Sequence, residues 1–116
     1  MAQVVVMYKT PRDTAAFDKH YADKHIPLAK KIPGLKKYEI SKGPVVTPGG
    51  GASSYHLVAT LQFDDMAAVQ KAFGSAEGQA AVADVGTFAT GGVDIYMFDT
   101  RPVRGRNDFR KQNTGA

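Results

Sequence analysis

Apolar and polar positions alternate along four stretches of the chain and recur at helical spacing between them. Residues 2–9 are rich in valine and stop at Thr10-Pro11, where proline removes a ladder donor, which predicts a strand. Its two faces are Val4, Val6, Tyr8 and Val5, Met7; both are apolar, so both need covering. Asp13 then stands as a cap before a helical stretch in which Phe17, Tyr21, Leu28 and Ile32 share one face. Pro27 lies inside that stretch. A proline within a helix loses a hydrogen bond and clashes with the preceding turn, so a break or kink is expected near His25-Ile26, then a short helical continuation.

The chain turns at Pro33-Gly34, and residues 35–42 alternate Tyr38 and Ile40 against Lys37, Glu39 and Ser41, a strand with one polar side. Residues 43–54 contain Pro44, Pro48 and Gly49-Gly50-Gly51 and are expected to form a mobile connection. The clearest strand is 55–63, with Tyr55, Leu57, Ala59, Leu61 and Phe63 on one face and His56, Val58, Thr60 and Gln62 on the other. Asp64 or Asp65 caps a second helix carrying Met66, Val69 and Phe73, and Ser75 caps a further piece over 76–84. Gly86, Thr90, Gly91 and Gly92 end the helical region, and 93–98 is the last strand.

This order, βαββαβ, predicts an α+β, ferredoxin-like fold: a four-stranded antiparallel sheet with both helical segments on one face. Helices on one face leave the other bare, with half of the first, third and fourth strands' apolar residues on it. That is too much apolar surface to leave in water, so a second copy is expected to cover it and form a symmetric homodimer.

Composition narrows the function. At 116 residues the chain is one domain, residues 1–100, followed by a basic tail, 101–116. The net charge of +4 belongs to that tail, which holds five basic residues against Asp108; the preceding residues carry ten of each sign. A nucleic-acid binder concentrates positive charge on its folded surface, so nucleic acid is not expected as a partner. The tail is instead expected to pack as an arm on the partner subunit, anchored by Val103 and Phe109. No apolar run approaches the roughly 20 residues of a membrane span, and no export signal is evident, so no membrane association and a cytoplasmic location are expected. With zero cysteines, disulfides and thiolate metal sites are excluded.

Several fragments in order resemble one known family. They are Tyr8-Lys9-Thr10-Pro11 with Asp13, residues 17–21 (FDKHY), residues 25–29 (HIPLA), Ile32-Pro33-Gly34-Leu35, residues 55–59 (YHLVA), Glu77-Gly78-Gln79-Ala80, and 84–92, which includes FATGG. Over roughly residues 4–98 the chain resembles the EthD-like proteins of the dimeric α+β-barrel superfamily. The resemblance implies a homodimer whose sheets form a barrel, with a pocket in each subunit between sheet and helices. The family takes its name from ethyl tert-butyl ether degradation, where a member accompanies an oxidising cytochrome P450 system. Relatives in the superfamily include cofactor-free monooxygenases, polyketide cyclases, muconolactone isomerases and haem-dependent enzymes, so fold does not settle function.

His25 is the leading candidate for chemistry, because it lies about 40° from the centre of the apolar helix face and so points inward. An imidazole in an apolar pocket takes or gives a proton near neutral pH, which suits enolisation, cyclisation or isomerisation of a phenolic or carbonyl compound. The alternative is a structural histidine bonded to a backbone carbonyl at the kink. Tyr8, Phe17, Tyr21, Tyr38, His56, Asp84 and Phe88 are candidate ligand-binding residues, each with a bland reading as core, turn or cap. His20 lies about 100° off the apolar face and reads as a solvated helix residue. His20 and His25 are five apart, about 140° on an unbroken helix, too divergent to share one ion, so no metal is expected.

Three functions remain open. One is a cofactor-free enzyme or accessory factor of an oxidative degradation pathway, acting on a small hydrophobic oxygenated compound through His25. Another is a non-catalytic module that binds or delivers such a compound. The last is a haem protein with a single axial histidine. No nicotinamide, flavin or phosphate-loop motif is present, and no cofactor is expected on the first two readings.

Overall fold

The computed structural model describes residues 1–104, and the expected anchoring of the tail by Phe109 lies outside them; Val103 is exposed. Four strands pair antiparallel in the order β2-β3-β1-β4. They are β1 (Ala2–Lys9), β2 (Lys37–Ile40), β3 (Tyr55–Phe63) and β4 (Val93–Asp99). The helices are α1 (Thr14–His20), α2 (Ile26–Ala29), α3 (Met66–Gly74) and α4 (Ala76–Phe88), with a π-helical turn, Tyr21–His25, between α1 and α2. The fold is ferredoxin-like, as the alternation of apolar positions predicts.

The strand period decides which residues form the core. Val4, Val6 and Tyr8 meet Leu57, Ala59, Leu61 and Phe63 on the helix side, and all are buried. The other face carries Val5, Met7 and Val58, half-buried, with Tyr96 and Phe98 exposed on β4. The helices leave part of the inner face open as well: Ile95 and Met97 of β4 and Val82 of α4 are exposed large hydrophobics.

Three expectations need correction. A bulge between Tyr8 and Lys9 pairs Tyr8 with Leu57 but Lys9 with Tyr55, leaving His56 as the extra residue. It carries His56 to the helix side, against Phe17, and Tyr55 to the outer side, where its hydroxyl donates to Asp94. Residues 43–54 form a structured turn, with a bridge between Val46 and Ala52 and Thr47 bonded to Gly51. The last helix runs past the expected end at Asp84 to Phe88, because Gly86 weakens a helix by only about 1 kcal/mol and does not stop it. Asp84 is therefore a mid-helix residue, neither cap nor turn.

Caps follow the sequence closely. Asp13 accepts from the Ala16 amide and Asp65 from the Ala68 amide. Ser75 ends α3 and begins α4, its hydroxyl donating to the Ala72 carbonyl and accepting from the Gly78 amide. This one-residue joint works only because Gly78 has no side chain: a Cβ there would overlap the Ala72 carbonyl and sit 2.8 Å from the Phe73 Cα. Gly86 has nothing within 4 Å. Two substitutions in the same helix should therefore move stability in opposite directions. In urea unfolding, Gly78→Ala is expected to cost about 1–3 kcal/mol and Gly86→Ala to gain about 0.5–1 kcal/mol.

Candidate functional site

The site begins with the proline. In a regular α-helix the Pro27 ring would press on the carbonyl four residues back, that of Asp23. The chain widens instead of breaking: the Ile26 amide donates to the Tyr21 carbonyl, five residues back, while His25 and Ile26 keep right-handed helical dihedrals. The expected break is thus a π turn. In such a turn residues five apart come to lie above one another, so His20 and His25 face the same way, correcting the divergence an unbroken helix would give them.

Both imidazoles reach the Asp84 carboxylate. His25 Nδ1 lies 2.9 Å from Asp84 Oδ2, and His20 Nε2 lies 2.9 Å from Oδ1 and 3.1 Å from Oδ2. Thr87 adds a hydroxyl at 3.2 Å from Oδ1. The phenyl ring of Phe88 lies 4.9 Å from each imidazole, stacked on His20 and tilted against His25. Burial works against the Asp84 charge, but hydrogen bonds from His20 and His25 outweigh it and hold the carboxyl below its ordinary range. A carboxylate only accepts, so His25 Nδ1 and His20 Nε2 carry the protons facing it.

That assignment leaves His25 Nε2 as a lone pair. Tyr8 Oη lies 3.5 Å away, at the outer limit of a hydrogen bond, so the nitrogen is only lightly engaged. Burial pushes the His25 pKa down, Asp84 opposes that only in part, and the His20 charge adds to the lowering. Tyr8 and Tyr21 are both raised by burial and by neighbouring phenols, so their hydroxyls stay protonated donors. The Tyr21 and Tyr38 hydroxyls bond each other at 2.5 Å.

His25, Tyr8, Tyr21 and Tyr38 line a cavity of about 260 Å³ between sheet and helices. Its other walls are apolar, among them Val4, Val6, Ala59 and Leu61, and its open side lies by Val82 of α4 and Ile95 and Met97 of β4. Of the residues singled out from sequence, Tyr8, Tyr21, His25 and Tyr38 line this cavity. Phe17, His56, Asp84 and Phe88 do not. Phe17 and Phe88 are buried in an aromatic cluster with Tyr8 and Tyr21, and they wall a second, more polar cleft with Arg12, Asp13 and His20. Asp84 stands behind His25, and His56 donates to Asp18 at 2.7 Å. His20 is the residue that sequence reasoning set aside, because its partner lies 64 positions away on another helix. Among the described residues no group of three or more His, Cys, Asp or Glu is arranged to hold a metal ion.

The electrostatics fix a pH dependence of stability. His25 is depressed in the folded state, so the unfolded chain binds its proton first as pH falls through the ordinary histidine value of about 6.5. Asp84 is likewise depressed and adds a loss near and below the ordinary carboxylate range. Thermal unfolding is expected to show constant stability from pH 8 to about pH 7, then a decline that His25→Phe removes from the upper window alone.

Residues 9–92 match the model of the EthD domain. An uncharacterized 11.0 kDa protein from the thcB-thcC intergenic region of Rhodococcus erythropolis is 41% identical over 103 residues, covering 89% of this chain and 98% of that one. A crystal structure of an ethyl tert-butyl ether degradation (EthD) family protein from Bacillus halodurans superposes with a TM-score of 0.79 at 31% identity, covering 87% of this chain and 99% of that chain. The cofactor-independent oxygenase SnoaB of Streptomyces nogalater shares the fold alone, with a TM-score of 0.62 at 14% identity over 88% and 94% of the two chains. Among the described residues no helix is long and apolar enough to cross a membrane. With a family model matching residues 9–92 and a relative matched almost end to end, the chain belongs to the EthD domain family.

Proposed function

We propose that the cavity binds a small, largely apolar compound bearing a hydroxyl or carbonyl group, and that His25 moves a proton on it without a cofactor. The observation that carries this reading is the orientation of one buried ring on the cavity wall: Nδ1 is held by a carboxylate at 2.9 Å, while Nε2 is turned toward the hydroxyl of Tyr8, another wall residue, 3.5 Å away. A neutral imidazole so placed takes a proton from a phenol, or from a carbon beside a carbonyl, through its Nε2 lone pair. The imidazolium that forms is balanced by Asp84, and the oxygen that gains negative charge meets the Tyr8 hydroxyl as a protonated donor. At about 260 Å³ the cavity lies just below the roughly 300–1,000 Å³ typical of small-molecule sites, which favours a compound well below porphyrin size. The family's name, ethyl tert-butyl ether degradation, supports a place in an oxidative degradation pathway, as enzyme or as accessory factor.

Binding and turnover are tested separately. The probes are 4-ethylphenol and ethylbenzene, which differ by one hydroxyl, followed by calorimetry at pH 7.5. The phenol is expected to bind roughly tenfold more tightly, a preference that His25→Leu reduces toward one. A phenol preference undiminished in His25→Leu would overturn the reading of His25 as the polar anchor. For turnover, exchange of the C1 protons of 2-tetralone in deuterated buffer is expected to be accelerated and to fall about 100-fold or more in His25→Leu. Phenol preference without exchange would instead identify a carrier.

We further infer that the outer sheet face is covered by a second copy of the chain. Val5, Met7 and Val58 lie on it with Tyr96 and Phe98, which are 61% and 41% exposed. An apolar sheet face of this kind packs readily on its symmetry mate. Light scattering is expected to give twice the 12.4 kDa of one chain, and Tyr96→Asp to shift the protein to monomer with its secondary structure intact.

A further inference from the structure

Two compartments meet at one carboxylate. His25 edges the buried apolar cavity, and His20 lines the outer cleft formed by the segment before α1 and the C-terminal end of α4. The His25 side chain is 7% exposed and the His20 side chain 26%, and Asp84 lies between them with a hydrogen bond to each. The charged and titratable groups around this array are few. Tyr8 from β1 approaches His25, the Tyr21 ring packs beside it, and Tyr38 from β2 bonds Tyr21. Arg12 and Asp13 line the outer cleft with His20, and α4 contributes Asp84 and Thr87. His56 is committed to Asp18 on the far side of Phe17.

We propose that His20 is a positioning residue of this site: through Asp84 it sets the proton occupancy of His25 and gives solvent a proton when His25 takes one from the cavity. The inference rests on the reading of His25 as the proton-transfer group. Asp84 carries one negative charge and so balances one imidazolium. When an O–H or C–H bond of the bound compound breaks, its electron pair stays on the compound and a new N–H bond forms at His25 Nε2. The array then carries one positive charge too many if His20 is also protonated. His20 restores the balance by releasing the proton of its other ring nitrogen to water, keeping its Nε2–H on Asp84. Returning the proton from His25 to the product reverses the exchange. The charge formed on the buried base is thereby compensated by a proton released at the outer cleft, while the proton taken from the compound stays on His25 Nε2.

The test follows the imidazole nitrogen signals of ¹⁵N-labelled full-length protein against pH, with no ligand. The His20 and His25 signals are expected to respond to each other's titration and give two-step curves; independent single-step curves would overturn the proposal. His20→Gln keeps an amide donor for Asp84 but removes the charge, and is expected to raise the apparent His25 pKa by about 0.5–1 unit. His20→Lys keeps a permanent charge there and is expected to lower it. A structural role for His20 would leave the His25 titration in place in His20→Gln, and that result, or shifts of the same sign in both variants, would also overturn the proposal. His56→Gln is expected to leave both titrations where they were. Coupled titration in a protein that shows neither phenol preference nor carbon exchange would uphold the His20–His25 linkage and refute the proposed function instead.

Discussion

The site depends on how the first helix accommodates Pro27. A proline at that place can break a helix, kink it, or be absorbed by an extra residue in the preceding turn, and here the third solution is taken. The extra residue changes the angular phase of everything that follows. It brings His25 over His20, so that one carboxylate on α4 serves both, and it keeps the apolar stripe of Phe17 and Tyr21 continuous with Ala29 and Ile32 on the core side. A regular helix would have turned one of the two imidazoles away. π turns concentrate at functional sites for this reason: they reset which side chains share a face without ending the helix.

Burial then gives the aligned groups different properties. Every buried side-chain nitrogen and oxygen among the described residues has a hydrogen-bond partner, so the polar atoms of this core are satisfied rather than strained. His25 is nevertheless kept neutral by its surroundings, while Asp84 is kept charged by its two donors. The opposition is productive. The fixed carboxylate offsets part of what burial costs the imidazole as a base, since the charge that forms on the ring is already matched. The phenols have the complementary role, because burial that disfavours their anions leaves them as donors.

The fold was legible in the sequence to a large degree because strand alternation and capping residues are local signals. Val4, Val6 and Tyr8 fall on the buried side as their spacing predicts, and Asp13, Asp65 and Ser75 cap the helices they precede. The site was legible only in part, since its defining features are departures from regular periods. Wheel angles place His25 inward correctly but put His20 in solvent, because they assume about 3.6 residues per turn through a segment that winds wider. Alternation puts His56 with Thr60 and Gln62, because it takes no account of the bulge opposite Tyr8. Asp84 read as a helix end because Gly86 follows it, yet its position inside α4 is what aims it across at the other helix. The signal available for His20 was the proline itself, seven residues on, had a widened turn been weighed against a break.

The same departures divide the interior into two regions. The bulge turns His56 toward Phe17 and Asp18, where it closes the end of the aromatic cluster away from the cavity. Phe88 fills the space between His20 and His25, so the only polar connection between cavity and outer cleft among the described contacts runs through Asp84. On the opposite side the cavity opens between α4 and β4, where Val82, Ile95 and Met97 offer no polar group at all. The entrance is thus apolar, while charge is confined to the far wall. On the proposed reading of the cavity, this arrangement separates the route of a bound compound from the route of charge and keeps the His25 imidazole away from any water-filled entrance.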